Sequence, residues 1–342
     1  MGMAHRHNAN VLMHAMAFAM VSAAAVNSSS AIGKWSPGPT LQQARFYLAT
    51  TAIGSKIYAV QGQSMATYLQ STEVLDITQK NAREGHGVAA VGTKIYCIGG
   101  TKAASGAAVT EVMILDQAGA GGWSVGPPLT QARLFFAVAA VNAKILYAVG
   151  GAIDMKHFPG GTTEYLDTAT AGGAWTAGPS LSQPRGFHCL VAVGTKLYAI
   201  GGVSGHTDAA LNSVEVLDTA AGRGWKPGPT LTSPRWAFAA AALGTKIYLV
   251  GGLALHTRTQ WDGMSVLDTA AATGWVSGPT PRNDFAVAAV AIGARLYAIG
   301  GSDRAATGKQ EALANIYVFD PSAPPKQYPI CETAWPTFQS AN

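Results

Sequence analysis

Apolar residues in this chain come in short runs without polar gaps. Six times a basic residue opens a run of four or five apolar positions that closes on glycine: KIYAVQG at 56–62, KIYCIGG at 94–100, KILYAVGG at 144–151, KLYAIGG at 196–202, KIYLVGG at 246–252 and RLYAIGG at 295–301. Such a run predicts a strand covered on both faces of its sheet. A second apolar stretch precedes each run and begins after an arginine (Arg45, Arg83, Arg133, Arg185, Arg235 and Arg282), as in FAVAAV at 136–141 and again at 285–290. A tight turn carrying a small residue and lysine joins the two. After the glycines come a variable loop, a third strand ending in Leu-Asp or Phe-Asp (Asp76, Asp116, Asp167, Asp218, Asp268 and Asp320), and a fourth marked by Trp and then Gly-Pro, with Trp123, Trp175, Trp225 and Trp275. The aspartate suits the turn into strand four. The Gly-Gly suits a crowded backbone or a positive φ. Burying one such indole contributes about 2–3 kcal/mol.

The central tyrosines, Tyr58, Tyr96, Tyr147, Tyr198, Tyr248 and Tyr297, recur about every 50 residues after a first interval of 38. One unit copied at a fixed period cannot bury its own apolar faces and must stack on its neighbours. The pattern therefore predicts an all-β fold, a single six-bladed array over residues 33–322. Two irregularities locate its ends. WSPGPT at 35–40 is a fourth-strand phrase with no strands before it, and the last repeat has no such phrase after Asp320. The N-terminal strand around Trp35 is thus expected to complete the sixth sheet and close the ring, which removes free edges. In the first repeat Asp76 is only seven residues from Arg83 and the Trp-Gly-Pro phrase is missing. Either that blade has three strands, or the sequence there lacks about one strand's worth of residues.

The spacing Arg, Tyr-x-x-Gly-Gly, Leu-Asp, Trp resembles the kelch repeat, and six copies with a borrowed N-terminal strand resemble the six-bladed kelch β-propeller. Departures are Gln61 in place of the first glycine of a pair, the absent tryptophan of the first repeat, and an extra residue, Leu146, in NAKILYAVGG. The resemblance implies a ring whose loop face is the usual binding surface, and a family of adaptors, actin binders, sugar oxidases, isomerases and iron-dependent specifier proteins. With about 30 residues before the ring, an appended docking domain is not expected. Nothing matches the cross-linked Tyr-Cys site of the copper oxidases, and the Glu-x-x-x-Asp-x-x-x-His spacing of the iron-binding specifiers is not present.

Composition narrows the function classes. Of 342 residues 48% are hydrophobic and only 12% charged, with 40 glycines and 17 prolines, as short strands and turns require. The net charge of +5 mildly favours anionic partners, but it is spread over the repeats without runs, so nucleic acid is not an expected partner. Cys97, Cys189 and Cys331 cannot make a disulfide framework, and the first two replace repeat alanines as small core residues. Residues 1–25 read as a signal peptide, with VLMHAMAFAMV at 11–21 followed by SAAAV, 26–32 as a linker and 323–342 as a C-terminal tail. The expected location is secreted or in the endomembrane lumen, a mitochondrial presequence being the alternative. The apolar run is too short for a spanning helix, so no membrane span is expected. Asn27-Ser28-Ser29 is then a candidate glycosylation acceptor.

Strand connectivity puts the residues after each arginine and the loops after Gly-Gly on one face. Arg45, Tyr47, Arg83, Arg133, Phe136, Arg185, His188, Arg235, Trp236, Arg282 and Asp284 are the candidate binding residues there, an aromatic cup rimmed by guanidiniums that suits an acidic glycan, peptide or small metabolite. The competing structural reading has the arginines bridging blades and the aromatics filling the funnel. His86, His188, His206 with Asp208, and His256 with Asp262 are the candidate acid–base groups of an alternative enzyme acting on a sugar-like or small organic-acid substrate in the same cup. His86 and His188 lie two repeats apart, so neither a shared metal nor any other cofactor is expected. Lys56, Lys94, Lys144, Lys196, Lys246 and Arg295 ring the opposite face. The protein is expected to be a monomer.

Overall fold

The computed structural model describes residues 34–37, 41–42, 44, 48–53, 56–60, 72–73, 83–102, 107–119, 122–154, 160–207, 209–253, 263–271, 273–279, 287–304 and 310–323. Every regular element among them is a strand, and no helix among them is long and apolar enough to cross a membrane. The proposed leader, the linker and residues 324–342 lie outside the described residues.

The strands form an all-β propeller. Repeats two to five each give a four-stranded antiparallel sheet, in which the chain steps outward strand by strand. The fourth repeat is representative, with Cys189–Val193 innermost, then Lys196–Ile200, Val214–Asp218 and Lys226–Pro227. A fifth four-stranded sheet joins Ala288–Ile292, Arg295–Ile299 and Ile316–Asp320 to the N-terminal Lys34–Pro37, with Trp35 opposite Phe319. The expectation of six full blades is corrected here: among the described residues five sheets have four strands, and the first repeat supplies the three strands Ala49–Ile53, Lys56–Val60 and Thr72–Glu73.

Both faces of each second strand are buried. In Lys196–Ile200 the four residues after the lysine are all buried, and they divide by alternation between two cores. Leu197 and Ala199 pack with Tyr147, Val149 and Ala139 of the third repeat, whereas Tyr198 and Ile200 pack with Ile247, Leu249 and Phe238 of the fifth. The period-2 geometry of a strand thus serves two interfaces at once. First strands are only partly covered on alternate residues, as in Ala137–Val141.

The fourth-strand tryptophans reach across repeats. Nε1 of Trp175, Trp225 and Trp275 donates to the carbonyls of Pro127, Pro179 and Pro229, each in the Gly-Pro phrase of the preceding repeat, at 3.0, 2.9 and 2.8 Å. The aspartates make the expected turns: the carboxylates of Asp116, Asp167, Asp218, Asp268 and Asp320 accept the backbone N–H two residues on, at 2.9–3.1 Å. The extra residue of the third repeat is not Leu146, which is fully buried opposite Leu166 in its strand. It sits in the turn instead, where Asn142 and Ala143 take φ of 53° and 49° and Ile145 holds the place of the usual lysine.

At the end of each second strand two backbones meet. The N–H groups of Gly100, Gly151 and Gly202 donate to the carbonyls of Arg133, Arg185 and Arg235 in the following repeat, at 2.9, 3.0 and 2.9 Å. A Cβ on Gly201, whose φ is +56°, would lie 2.8 Å from the Arg235 carbonyl and 3.1 Å from the Phe238 ring. Gly194, in the strand-one to strand-two turn, has a similar φ of +58° but open space around it. Gly194→Ala is therefore expected to cost about 1–2 kcal/mol from its backbone alone, and Gly201→Ala at least about twice that, or the fold itself. Equal losses in denaturant unfolding would show that the inter-repeat approach is not what holds Gly201.

Candidate functional site

The start of each first strand and the loop after each Gly-Gly do share a face. Arg185–Gly186 pairs with Val203–Ser204, Arg83–Glu84 with Thr101–Lys102, and Leu134 and Trp236 bridge Ala152 and Leu253.

The arginines do not rim that face. Arg133, Arg185 and Arg235 are among the most buried side chains of the protein, at 2%, 0% and 1% exposure. Arg185 Nη1 donates to the carbonyls of Gly201 and Ser213, both at 3.0 Å, and Nη2 to Glu215 at 2.9 Å. Arg133 repeats this with Gly150, Thr162 and Glu164. Each guanidinium ties the end of its own second strand to the start of its third, while its backbone carbonyl takes the neighbour's glycine. The expectation of solvent-facing guanidiniums is corrected for these three, because extended backbone edges around them offer more acceptors than the open face. Arg45, Tyr47, Arg282 and Asp284 lie outside the described residues, and only the backbone of Arg83 is described.

The glutamates that receive these arginines escaped the sequence reading. Glu164 also accepts Thr130 N–H and Gln131 N–H, and Glu215 accepts Ser182 N–H and Gln183 N–H, so each carboxylate anchors the connector from the preceding repeat. Burial works to raise the Glu215 pKa, but the Ser182 and Gln183 hydrogen bonds and the charge of Arg185 outweigh it and hold the carboxyl below its usual value. The signal was present in the sequence as Glu73, Glu164 and Glu215, at one place in the third strand. In the fifth repeat Ser265 stands there, and its hydroxyl accepts from Arg235 at 3.0 Å. Burial lowers the Arg235 pKa to about 10.

Around the axis runs a second chain of inter-repeat bonds. Phe135 N–H donates to Gly85, Phe187 N–H to Phe135 and Ala237 N–H to Phe187, at 2.8, 2.9 and 3.4 Å. All four residues are left-handed, with φ of 62°, 53°, 52° and 52° along the series from Gly85 to Ala237. Glycine fits such a position freely, whereas phenylalanine costs about 1–2 kcal/mol there. The two phenylalanine rings stack with centroids 4.0 Å apart, and the edge of Phe187 meets Trp236 at 5.5 Å and 80°. Phe135 and Phe187 are half-buried and Trp236 is 6% exposed, with no partner for its Nε1 among the described residues. Phe136, by contrast, is buried and packs its ring on Gly99 of the preceding repeat. Beside Arg133 a cavity of about 220 Å3 opens between Gln131, Ile153, Gly160 and Thr162.

The histidines do not form an acid–base pair among the described residues. His188, 6% exposed, fills the place of Phe136 and Phe238 and packs against Gly150 and Gly202. His86 is buried at the same place of the second repeat. His206 is exposed in a turn, whereas Asp208, His256 and Asp262 lie outside the described residues. No three His, Cys, Asp or Glu side chains converge as a metal site among the described residues. Burial pushes the Cys189 thiol up to about 12, and its Sγ lies 3.1 Å from the Phe238 carbonyl, which makes it a core group.

On the opposite face the basic ring is partly neutralised. Lys144, Lys246 and Arg295 lie 3.3–3.5 Å from the repeat aspartates Asp167, Asp268 and Asp320. Such exposed pairs add at most about 1 kcal/mol each. A groove of about 690 Å3 between the fourth and fifth repeats is lined there by Lys196, Arg223 and Lys226 together with Asp218 and Asp268.

Two segments, 82–130 and 184–232, match the model of the kelch motif. They coincide with the second and fourth repeats, from the residue before the arginine to just past the Trp-Gly-Pro phrase. No curated protein sequence matches the chain.

Two expectations follow from the buried groups. Burial, aided by the charge of Arg185, holds His188 neutral well below the ordinary 6.5. The unfolded chain takes up a proton there that the folded one refuses, so stability is full above that pH and falls below it. His188→Phe should flatten the fall of the melting midpoint between pH 7 and 5, and an unchanged slope would remove His188 as its source. Ser265→Glu should place beside Arg235 a third-strand carboxylate like those at Arg133 and Arg185, and raise the melting midpoint by a few degrees, roughly 1 kcal/mol. A lower midpoint would mean that the carboxylate is not received there.

Proposed function

Because the chain is a kelch-repeat β-propeller, we propose that it is a binding module which holds a peptide segment of a partner protein at the axial mouth of its loop face. One observation carries this reading: Phe135 and Phe187 occupy left-handed positions where glycine would be cheaper, and they stack half-exposed against Trp236. Strain retained in this way, at a position the backbone ladder could fill with glycine, supports a use for the rings themselves. Aromatic anchors on a rigid backbone are the groups that dominate protein–protein affinity. The acidic-glycan and small-metabolite versions depend on open guanidiniums. With Arg133, Arg185 and Arg235 buried, the surface favours a peptide that seats an apolar or aromatic side chain.

The first repeat's three-stranded sheet is taken as the sixth member of a closed ring. Contact between Ala49–Ile53 and Ala288–Ile292, and the pairing of Lys34–Pro37 onto the last repeat, support this. The apolar run at 11–21 and the small residues after it support a secreted or luminal setting.

The reading is tested by panning a displayed library of random peptides on the protein. Enriched peptides should carry an aromatic or large aliphatic residue, and Phe187→Ser should weaken their binding at least about tenfold, or ~1.4 kcal/mol. Val276→Ser, on the outer rim, should leave it unchanged. Binding indifferent to Phe187→Ser would move the site off the axis.

A further inference from the structure

The groove between the fourth and fifth repeats gathers charge that the copied pattern does not call for. It encloses about 690 Å3, within the span of about 300–1,000 Å3 usual for small-molecule sites. Arg223 stands two residues before Trp225 and Lys226 one after it, whereas the third repeat has Gly173 and Thr176 at those places and the fifth has Thr273 and Val276. Both line the groove, together with Lys196. Neighbouring repeats pack without these two cations, so stacking does not require them.

Lys196 also differs from its counterparts. It stands opposite Asp218 in its strand pair, as Lys246 stands opposite Asp268. Lys246 is joined to Asp268 at 3.5 Å, whereas among the described residues no ion pair takes up Lys196, Arg223 or Lys226. Asp218 uses Oδ1 to accept from Thr195 and from the Ala220 N–H, at 3.3 and 3.1 Å, which leaves Oδ2 for another donor. Both oxygens of Asp268 are engaged, Oδ1 by Thr245 and the Ala270 N–H and Oδ2 by Lys246.

With Asp268 balanced by Lys246, three cations against the one carboxylate of Asp218 leave a surplus of two positive charges. A phosphate monoester carries about −1.5 to −2 at pH 7 and three strong acceptor oxygens, whereas a carboxylate or sulfate ester carries a single charge. Arg223 offers a planar fork to two such oxygens, and the lysines act as point charges. The spare oxygen of Asp218 repels a further anion but accepts a hydroxyl. One wall is set in advance, because Pro227 and Pro229 fix their own φ and the Pro229 carbonyl is held by Trp275 at 2.8 Å. A wall that is already ordered lowers the cost of binding.

We propose that this groove is a second binding site, which takes the phosphate monoester of a polyhydroxy compound such as a sugar. The phosphate sits among Arg223, Lys226 and Lys196, and a hydroxyl of the same molecule donates to Asp218.

Glucose 6-phosphate, titrated calorimetrically into the full-length protein at low salt, tests this. It should bind with a Kd below about 1 mM, and at least about tenfold more tightly than glucose, inorganic phosphate or glucose 6-sulfate. Arg223→Ala and Lys226→Ala should each weaken it at least about fivefold, while Lys144→Ala, in the third repeat, leaves it unchanged. All three side chains are exposed, so unchanged melting midpoints without ligand would show that the variants are folded. Asp218→Asn should narrow the preference for glucose 6-phosphate over inorganic phosphate. Equal affinity for inorganic phosphate, or a preference indifferent to Asp218→Asn, would overturn the polyhydroxy part of the proposal. Equal affinity for glucose 6-sulfate would overturn the charge match. The site itself falls if no saturable binding is seen, or if binding ignores Arg223→Ala. Displacement of glucose 6-phosphate by a lower concentration of a phosphoserine peptide would replace the sugar with a modified protein segment.

Discussion

Two backbones meeting with no side chain between them is the constraint on which this propeller rests. At Gly201 a methyl group would collide with the Arg235 carbonyl, and one residue on, the Gly202 N–H is bonded to that same oxygen. That residue's side chain meets Ser265 of its own repeat, and at the same place Arg133 and Arg185 are clamped by Glu164 and Glu215. Neighbour contact and internal bracing therefore meet at one residue. A repeat cannot loosen its arginine without disturbing the glycine next door, and the buried carboxylate makes such loosening costly, because a lone buried charge is worth several kcal/mol.

The axial aromatics sit on the same framework. Their left-handed backbones are held by bonds from one repeat to the next, so a ring system that would be mobile on a loop is fixed by the blades themselves. The segment after Gly202 shares that face, where Val203–Ser204 pairs with Arg185–Gly186.

Much of the architecture was legible in the sequence because repetition reports what every copy must do. The Gly-Gly pairs, the turn-forming aspartates and the doubly covered second strands all read correctly from period and composition. What a side chain faces was harder to read. Six arginines in register look the same whether they point to solvent or inward, and the decision lay in Glu164 and Glu215, which only some repeats carry. The tryptophans were legible as buried mass, but their proline acceptors belong to the repeat before, a relation visible only once repeats are superposed. Leu146 looked like an insertion because the apolar run lengthened, whereas the turn at Asn142 and Ala143 absorbed the added residue.

The pairing of Lys34–Pro37 with Ile316–Asp320 joins segments about two hundred and eighty residues apart. Closing so long a loop costs only about 1.5 kcal/mol more than closing one repeat, since the entropy grows with the logarithm of length. Its effect falls on timing. Lys34–Pro37 leaves the ribosome long before its partner in the last repeat has been made, so through most of synthesis the growing array carries an unsatisfied edge. A chain stopped short of Asp320 would keep that edge for good, and quality control could recognise it by exposure alone.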